Sequence, residues 1–94
     1  MASTAWADAP VRVVLKDHKM VPNHITVPAG VRFKLELVNQ DETTDEFESY
    51  DLKVEKIVVA GATATVNAGP LHPGDYKMFD DYHPDTATGS VTAK

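Results

Sequence analysis

The sequence predicts an all-β protein, a Greek-key sandwich of short strands, and three observations predict it. Val11–Lys16 is a β-branched run bounded by Pro10 and Asp17. Val31–Asn39 alternates apolar and charged residues with a period of two. Proline and glycine turn signals recur between such runs, at Pro28-Ala29-Gly30 and again from Gly69 to Gly74. Several short strands at this spacing, with turns of that chemistry, are the pattern of a sandwich.

Taken in order, residues 1–10 read as an N-terminal arm, and Ala5-Trp6-Ala7 before Asp8 has the small-x-small pattern of a signal-peptidase site. Residues 11–94 read as one domain. His24–Pro28 is a short strand closed by Ala29-Gly30. In Val31–Asn39, the period of two turns Phe33, Leu35 and Leu37 to the core and Arg32, Lys34 and Glu36 to water. Gln40–Asp45 is expected as a polar loop and Glu46–Tyr50 as a short strand, with a single helical turn around Tyr50–Glu55. Ala62–Val66 follows the break at Gly61. After the second turn, Tyr76, Met78 and Asp80 share one strand face, and Ser90–Lys94 closes the chain. No segment sustains helical periodicity.

Ninety-four residues suffice for one modest core, and 43% hydrophobic with 24% charged residues is a globular composition. A net charge of −5 without a basic cluster argues against nucleic-acid and anionic-membrane partners. No apolar run approaches a membrane span, so no direct membrane insertion is expected. The chain has no cysteine, which removes disulfides, thiolate metal ligands and thiol nucleophiles together. Hydrolase, kinase and nucleotide-binding motifs are absent as well.

The residues left to carry chemistry are acidic and imidazole groups. Asp80, Asp81 and His83 crowd four positions at the end of the Tyr76 strand. Carboxylate oxygen with imidazole nitrogen suits Fe(II), Mn(II), Cu(II) or Zn(II). Asp45 or Glu46, from the neighbouring loop, would complete three protein ligands with open positions left. His18, Met20 and His24 offer a softer set suited to copper, against which Met20 reads as a core residue and His18 shares its inward parity, while His24 stays open. Glu46 and Glu48 share a strand face, read as an exposed acidic surface. Tyr82, beside His83, is the best electron-relay candidate, and Tyr76 reads as core. His72 lies about 25 Å before Asp80 along an extended strand, at the other pole.

These residues also match a known pattern. Met20-x-Pro22-x-x-Ile25-x-Val27-Pro28-Ala29-Gly30, then Asn39-x-Asp41, Glu46-Phe47, Pro70-Leu71-x-Pro73-Gly74-x-Tyr76 and Gly89 together resemble the cupredoxin-like domain family. The resemblance implies a cupredoxin-like Greek-key β-sandwich. It places a blue-copper histidine position on Asp45, or on Glu46 if the loop shifts by one. The family's cysteine falls on Asp80, its second histidine on His83, and its axial methionine near Thr86–Thr88, where no methionine stands. Blue-copper chemistry needs the soft thiolate and is excluded.

Asp45-Glu46-Phe47-Glu48-Ser49, Glu55-Lys56-Ile57-Val58 and His83-Pro84-x-Thr86-Ala87-x-Gly89 resemble more closely the Cys-less cupredoxin-like proteins of bacterial ferrous-iron permease systems. That resemblance implies a periplasmic protein that binds iron or copper and assists ferrous iron oxidation and uptake. Its partners would be a membrane iron permease and other periplasmic uptake proteins. A ferrous iron oxidase activity is thus one expectation. The alternatives are a copper-binding carrier or chaperone and a metal-free docking module.

Overall fold

The computed structural model describes residues 6–94. Among them are nine strands: β1 Val11–Lys16, β2 Lys19–Val21, β3 His24–Val27, β4 Phe33–Asn39, β5 Asp45–Ser49, β6 Val54–Val58, β7 Thr63–Ala68, β8 Gly74–Asp80 and β9 Thr88–Ala93. They form two sheets, ordered β2-β1-β4-β7 and β3-β9-β8-β5-β6. Most neighbours are antiparallel, but β1 runs parallel to β4 and β3 parallel to β9. The first three strands are thus split between the two sheets, β1 and β2 in one and β3 in the other, and the sandwich is all-β as the sequence predicts.

The period of two explains the core. Phe33, Leu35 and Leu37 of β4 are fully buried, as are Val13 and Leu15 of β1, while Met78 and Val91 face them from the other sheet. Each such side chain contributes about 1.5–3 kcal/mol by leaving water. Arg32 and Lys34 stay exposed.

Three local expectations differ from the structure. Asp45 is the first residue of a strand rather than the last of a loop. Residues 50–53 form a turn, not a helical one, and lead directly into β6. The third difference is β2, a three-residue strand that no periodicity could reveal. It exists because Asp17 and His18 turn the chain back on β1, pairing Leu15 with Met20 and Lys16 with Lys19. Both turn residues have positive φ, 53° and 58°, the conformation of a two-residue hairpin usually built from Asn-Gly. Side chains there are disfavoured by sterics, and the Asp17 amide is anchored by donating to Asp41 Oδ1 at 2.6 Å.

The described part of the N-terminal arm is docked. Trp6 bridges to Arg32, and the Ala7 amide donates to the Arg32 carbonyl at 2.8 Å. The Trp6 ring lies under the Arg32 guanidinium and the Lys34 ammonium, at 5.7 and 5.0 Å. Ala5 of the small-x-small pattern, and the arm before it, lie outside the described residues.

Candidate metal centre

The end of β4, the start of β5, the end of β8 and the β1–β2 turn converge at one pole. There Asp45, Asp80 and His83 form a cluster whose potential ligand atoms lie within 4.8 Å of one another. His83 Nδ1 is 3.1 Å from Asp45 Oδ1 and 3.2 Å from Asp80 Oδ2. The His83 amide donates to the Asp80 carbonyl at 3.0 Å, a tight turn that brings the ring back over its own strand. The His18 ring stacks on His83, with centroids 3.7 Å apart and planes 13° from parallel.

The two aspartates are held differently. Asp80 is completely buried, and its Oδ1 accepts the amides of Glu46 and Tyr82, each at 3.0 Å. Burial pushes its carboxyl up, but hydrogen bonds from Asp45, from the Glu46 amide, from His83 and from the Tyr82 amide outweigh it and hold Asp80 below the ordinary value. Asp45 is equally covered, and among the described residues neither of its carboxylate oxygens has a hydrogen-bond partner of good geometry. Burial, and then the neighbouring Asp80 and Asp41 carboxyls, push Asp45 up to about 8. One proton is therefore shared by the pair near neutrality, resting on Asp45.

Asp41 is a participant that sequence reasoning used only as a family marker. Its Oδ2 is buried without a partner, and its amide donates to Asn39 Oδ1 at 2.8 Å. Asn39 in turn donates to the carbonyls of Thr43 and Val58, both at 2.9 Å, which fixes the 40–44 loop that leads into Asp45. A cleft of about 410 Å³ opens beside it, lined by Asp17, His18, Asp41 and the rest of that loop.

Of the expected ligands, the structure brings together Asp45, Asp80 and His83, and adds His18 by stacking. It chooses Asp45 over Glu46, because successive strand residues face opposite ways. Glu46 turns to the other face of the sheet and meets Glu48 and Asp81. That group is not the exposed acidic surface expected: Glu46 and Glu48 are each only 8% exposed. Burial, followed by the Glu55 carboxylate opposite, raises both from their ordinary value.

The softer set is not assembled. Met20 is a core residue, 4% exposed. His24 lies on the outer face of β3, its Nδ1 2.7 Å from Ser90 Oγ and its Nε2 3.4 Å from Thr92 Oγ1. Only His18 of the three reaches the pole. Tyr82 is half exposed and contributes its amide to Asp80. Tyr76 packs against the core with its hydroxyl donating to the His72 carbonyl at 2.7 Å, which keeps His72 before the start of β8, away from the site.

The donor set does not fit thiolate copper, since it holds no sulfur. It does fit a harder divalent ion, because the buried Asp45 oxygens have no donor and face an imidazole and a second carboxylate.

The wider fold has known counterparts. Auracyanin A, a "blue" copper protein from Chloroflexus aurantiacus, superposes with a TM-score of 0.80 over 92% of this chain and 98% of its own, at 11% identity. Auracyanin B gives 0.78 over 100% and 92%, at 14% identity. A purple cupredoxin from Nitrosopumilus maritimus gives 0.68 over 89% and 99%, at 16% identity. At these identities the likeness is one of fold. In sequence, an uncharacterized protein of Rickettsia prowazekii (strain Madrid E) is 44% identical over 81 residues, 86% of this chain, which spans 65% of that relative's length. The model of the cupredoxin-like domain matches residues 1–93, and the chain belongs to that family.

Proposed function

We propose that the chain binds a divalent transition-metal ion through Asp45, Asp80 and His83, with His18 stacked on His83 to hold its ring in place. The observation that carries this reading is the buried, donor-less carboxylate of Asp45 facing His83 Nδ1 at 3.1 Å. An ion placed there would satisfy the orphaned oxygens and take the place of the proton that otherwise keeps the two carboxyls from repelling each other. Asp80 contributes Oδ2, since its Oδ1 is occupied by two amides. His83 must turn the Nδ1 lone pair rather than an N–H toward the ion, which the Nε2–H tautomer allows, and loading displaces the proton held by the carboxyl pair.

Two carboxylates and imidazole select borderline to hard ions such as Fe(II), Mn(II) or Zn(II) over Cu(I). The finer form of the proposal takes Fe(II) as substrate, in keeping with the resemblance to the Cys-less proteins of ferrous-iron permease systems. Four ferrous ions, oxidised in turn, would each give up one electron, and one dioxygen would take up the four electrons and four protons to become two waters. The chain's part is to hold the ion on oxygen ligands, which favour the ferric product. A periplasmic location and a permease partner belong to this form, and cell fractionation with co-purification tests them.

Anaerobic calorimetric titration of the purified chain with Fe(II), Mn(II), Zn(II) and Cu(I) tests the core reading. Stoichiometric binding of at least one divalent ion is expected, with affinity lost in His83→Ala and in Asp45→Asn. Admitting air to the Fe(II) complex tests the finer form, through oxygen uptake faster than in buffer. Binding without faster uptake removes the oxidase and leaves the site. Tighter Cu(I) than Fe(II) binding would favour a copper carrier, and no binding of any ion would leave a docking module.

A further inference from the structure

The strand alternation that puts Asp45 and Asp80 inside the sandwich puts their neighbours outside it. Glu46 follows Asp45 on β5, and Asp81 follows Asp80 just past the end of β8. The Asp81 amide donates to the Glu46 carbonyl at 2.8 Å, which locks the two residues side by side. Glu48, two residues along β5, lies on the same outer face. Carboxylate oxygens of Glu46, Glu48 and Asp81 come within 4.8 Å of one another. Glu55 stands directly opposite Glu48 in the β5–β6 register.

Like charges directly opposite one another destabilise a strand pair; here Glu55 is exposed, whereas Glu48 is covered. Glu46 and Glu48 are more than nine-tenths buried. Among the described residues, no lysine, arginine or histidine nitrogen lies within 4.0 Å of either. Among the described residues no amide or hydroxyl donates to them, and the side chains that act on them are other carboxyls. Two covered carboxylates without a donor, aimed at a third, lack the cation that such a group ordinarily needs.

We propose that Glu46, Glu48 and Asp81 form a second cation site, on the outer face of the five-stranded sheet, for a hard divalent ion of the Ca²⁺ or Mn²⁺ type. The all-oxygen donor set distinguishes it from the His83 centre: oxygen ligands alone suit hard ions and give no preference for copper or zinc. Two of its ligands extend from a strand held by pairing on both sides, and the exposed Asp81 leaves an entry path for the ion. The inference is independent of what the inner centre binds.

Calorimetric titration of the full chain with Ca²⁺, and with Mn²⁺ followed by its electron paramagnetic resonance, tests it. Binding is expected in the parent chain and in Asp45→Asn, which alters only the inner centre. Glu48→Gln and Asp81→Asn should each weaken it about tenfold or more, as a charged ligand is lost. Asp81 is exposed, so its variant remains informative if Glu48→Gln fails to fold. Absence of Ca²⁺ and Mn²⁺ binding in the parent chain overturns the site. Binding lost in Asp45→Asn but retained in Asp81→Asn overturns it too.

Discussion

Asp45 and Asp80 meet at the site pole of adjacent strands with their acidities pushed apart, Asp45 up to about 8 and Asp80 below its ordinary value. The unfolded chain releases the Asp45 proton near 3.8. Between that value and about 8, the folded chain holds a proton that the unfolded chain has lost, so folding stability falls as pH rises. The depressed Asp80 acts in the opposite sense, stabilising above 3.8 and losing that contribution only as pH falls through its lower folded value. The metal-free protein should therefore have a urea midpoint that declines from about pH 5 to about pH 8. Asp45→Asn should show a flatter profile, since the amide carries no titrating proton. Parallel profiles for the two proteins would refute the shared proton.

A separate consequence follows from the turn that carries His18. Its φ of 58° places a side chain where glycine would be at ease, yet that turn is what lays its ring on His83. His18→Gly should raise stability by about 0.5–1 kcal/mol by relieving the left-handed backbone, read as an increased urea midpoint. The same variant should bind metal at least about tenfold more weakly. A gain in stability with unchanged affinity would show that His18 does not position His83.

Asn39 links the core to the site. It donates to the Thr43 and Val58 carbonyls and accepts from the Asp41 amide while 1% exposed. Asn39→Ala strands all three partners, and should cost about 2–4 kcal/mol by chemical denaturation. It should also loosen the 40–44 loop, and so lower metal affinity in a chain that is still folded. A loss of stability below about 1 kcal/mol would show that water replaces the side chain.

What the sequence made legible followed from period and turn chemistry. Phe33, Leu35 and Leu37 declared the core of β4, and Tyr76, Met78 and Asp80 declared the inner face of β8. Asp80 and His83 were legible because they are near neighbours in the chain. Asp45 and Glu46 could not be separated, because a one-residue shift in the start of β5 exchanges inside for outside. The His18–His83 stack spans 65 positions and depends on a turn that lacks glycine, so no local signal announced it. The acidic face was misread for a related reason: coverage of Glu46 and Glu48 comes from neighbouring strands, not from their own alternation.

The Asp80 environment yields a further test of how the site relates to copper-binding members of its family. Its Oδ1 sits in a cradle of two amides, from Glu46 and Tyr82. Such donors stabilise any anion held there, and a thiolate is one. His83 is already present, and Asp45 occupies the place from which a second imidazole would reach the same ion. The double variant Asp45→His, Asp80→Cys would thus supply the two-histidine, one-thiolate set of a blue-copper centre on an existing scaffold. Addition of Cu(II) should produce an intense visible thiolate-to-copper absorption, absent from the parent chain and from Asp45→His alone. Stoichiometric Cu(II) binding without the visible band would mean that residue 80 is not aimed at the ion held by His83, and would count equally against Asp80 as a ligand in the natural site.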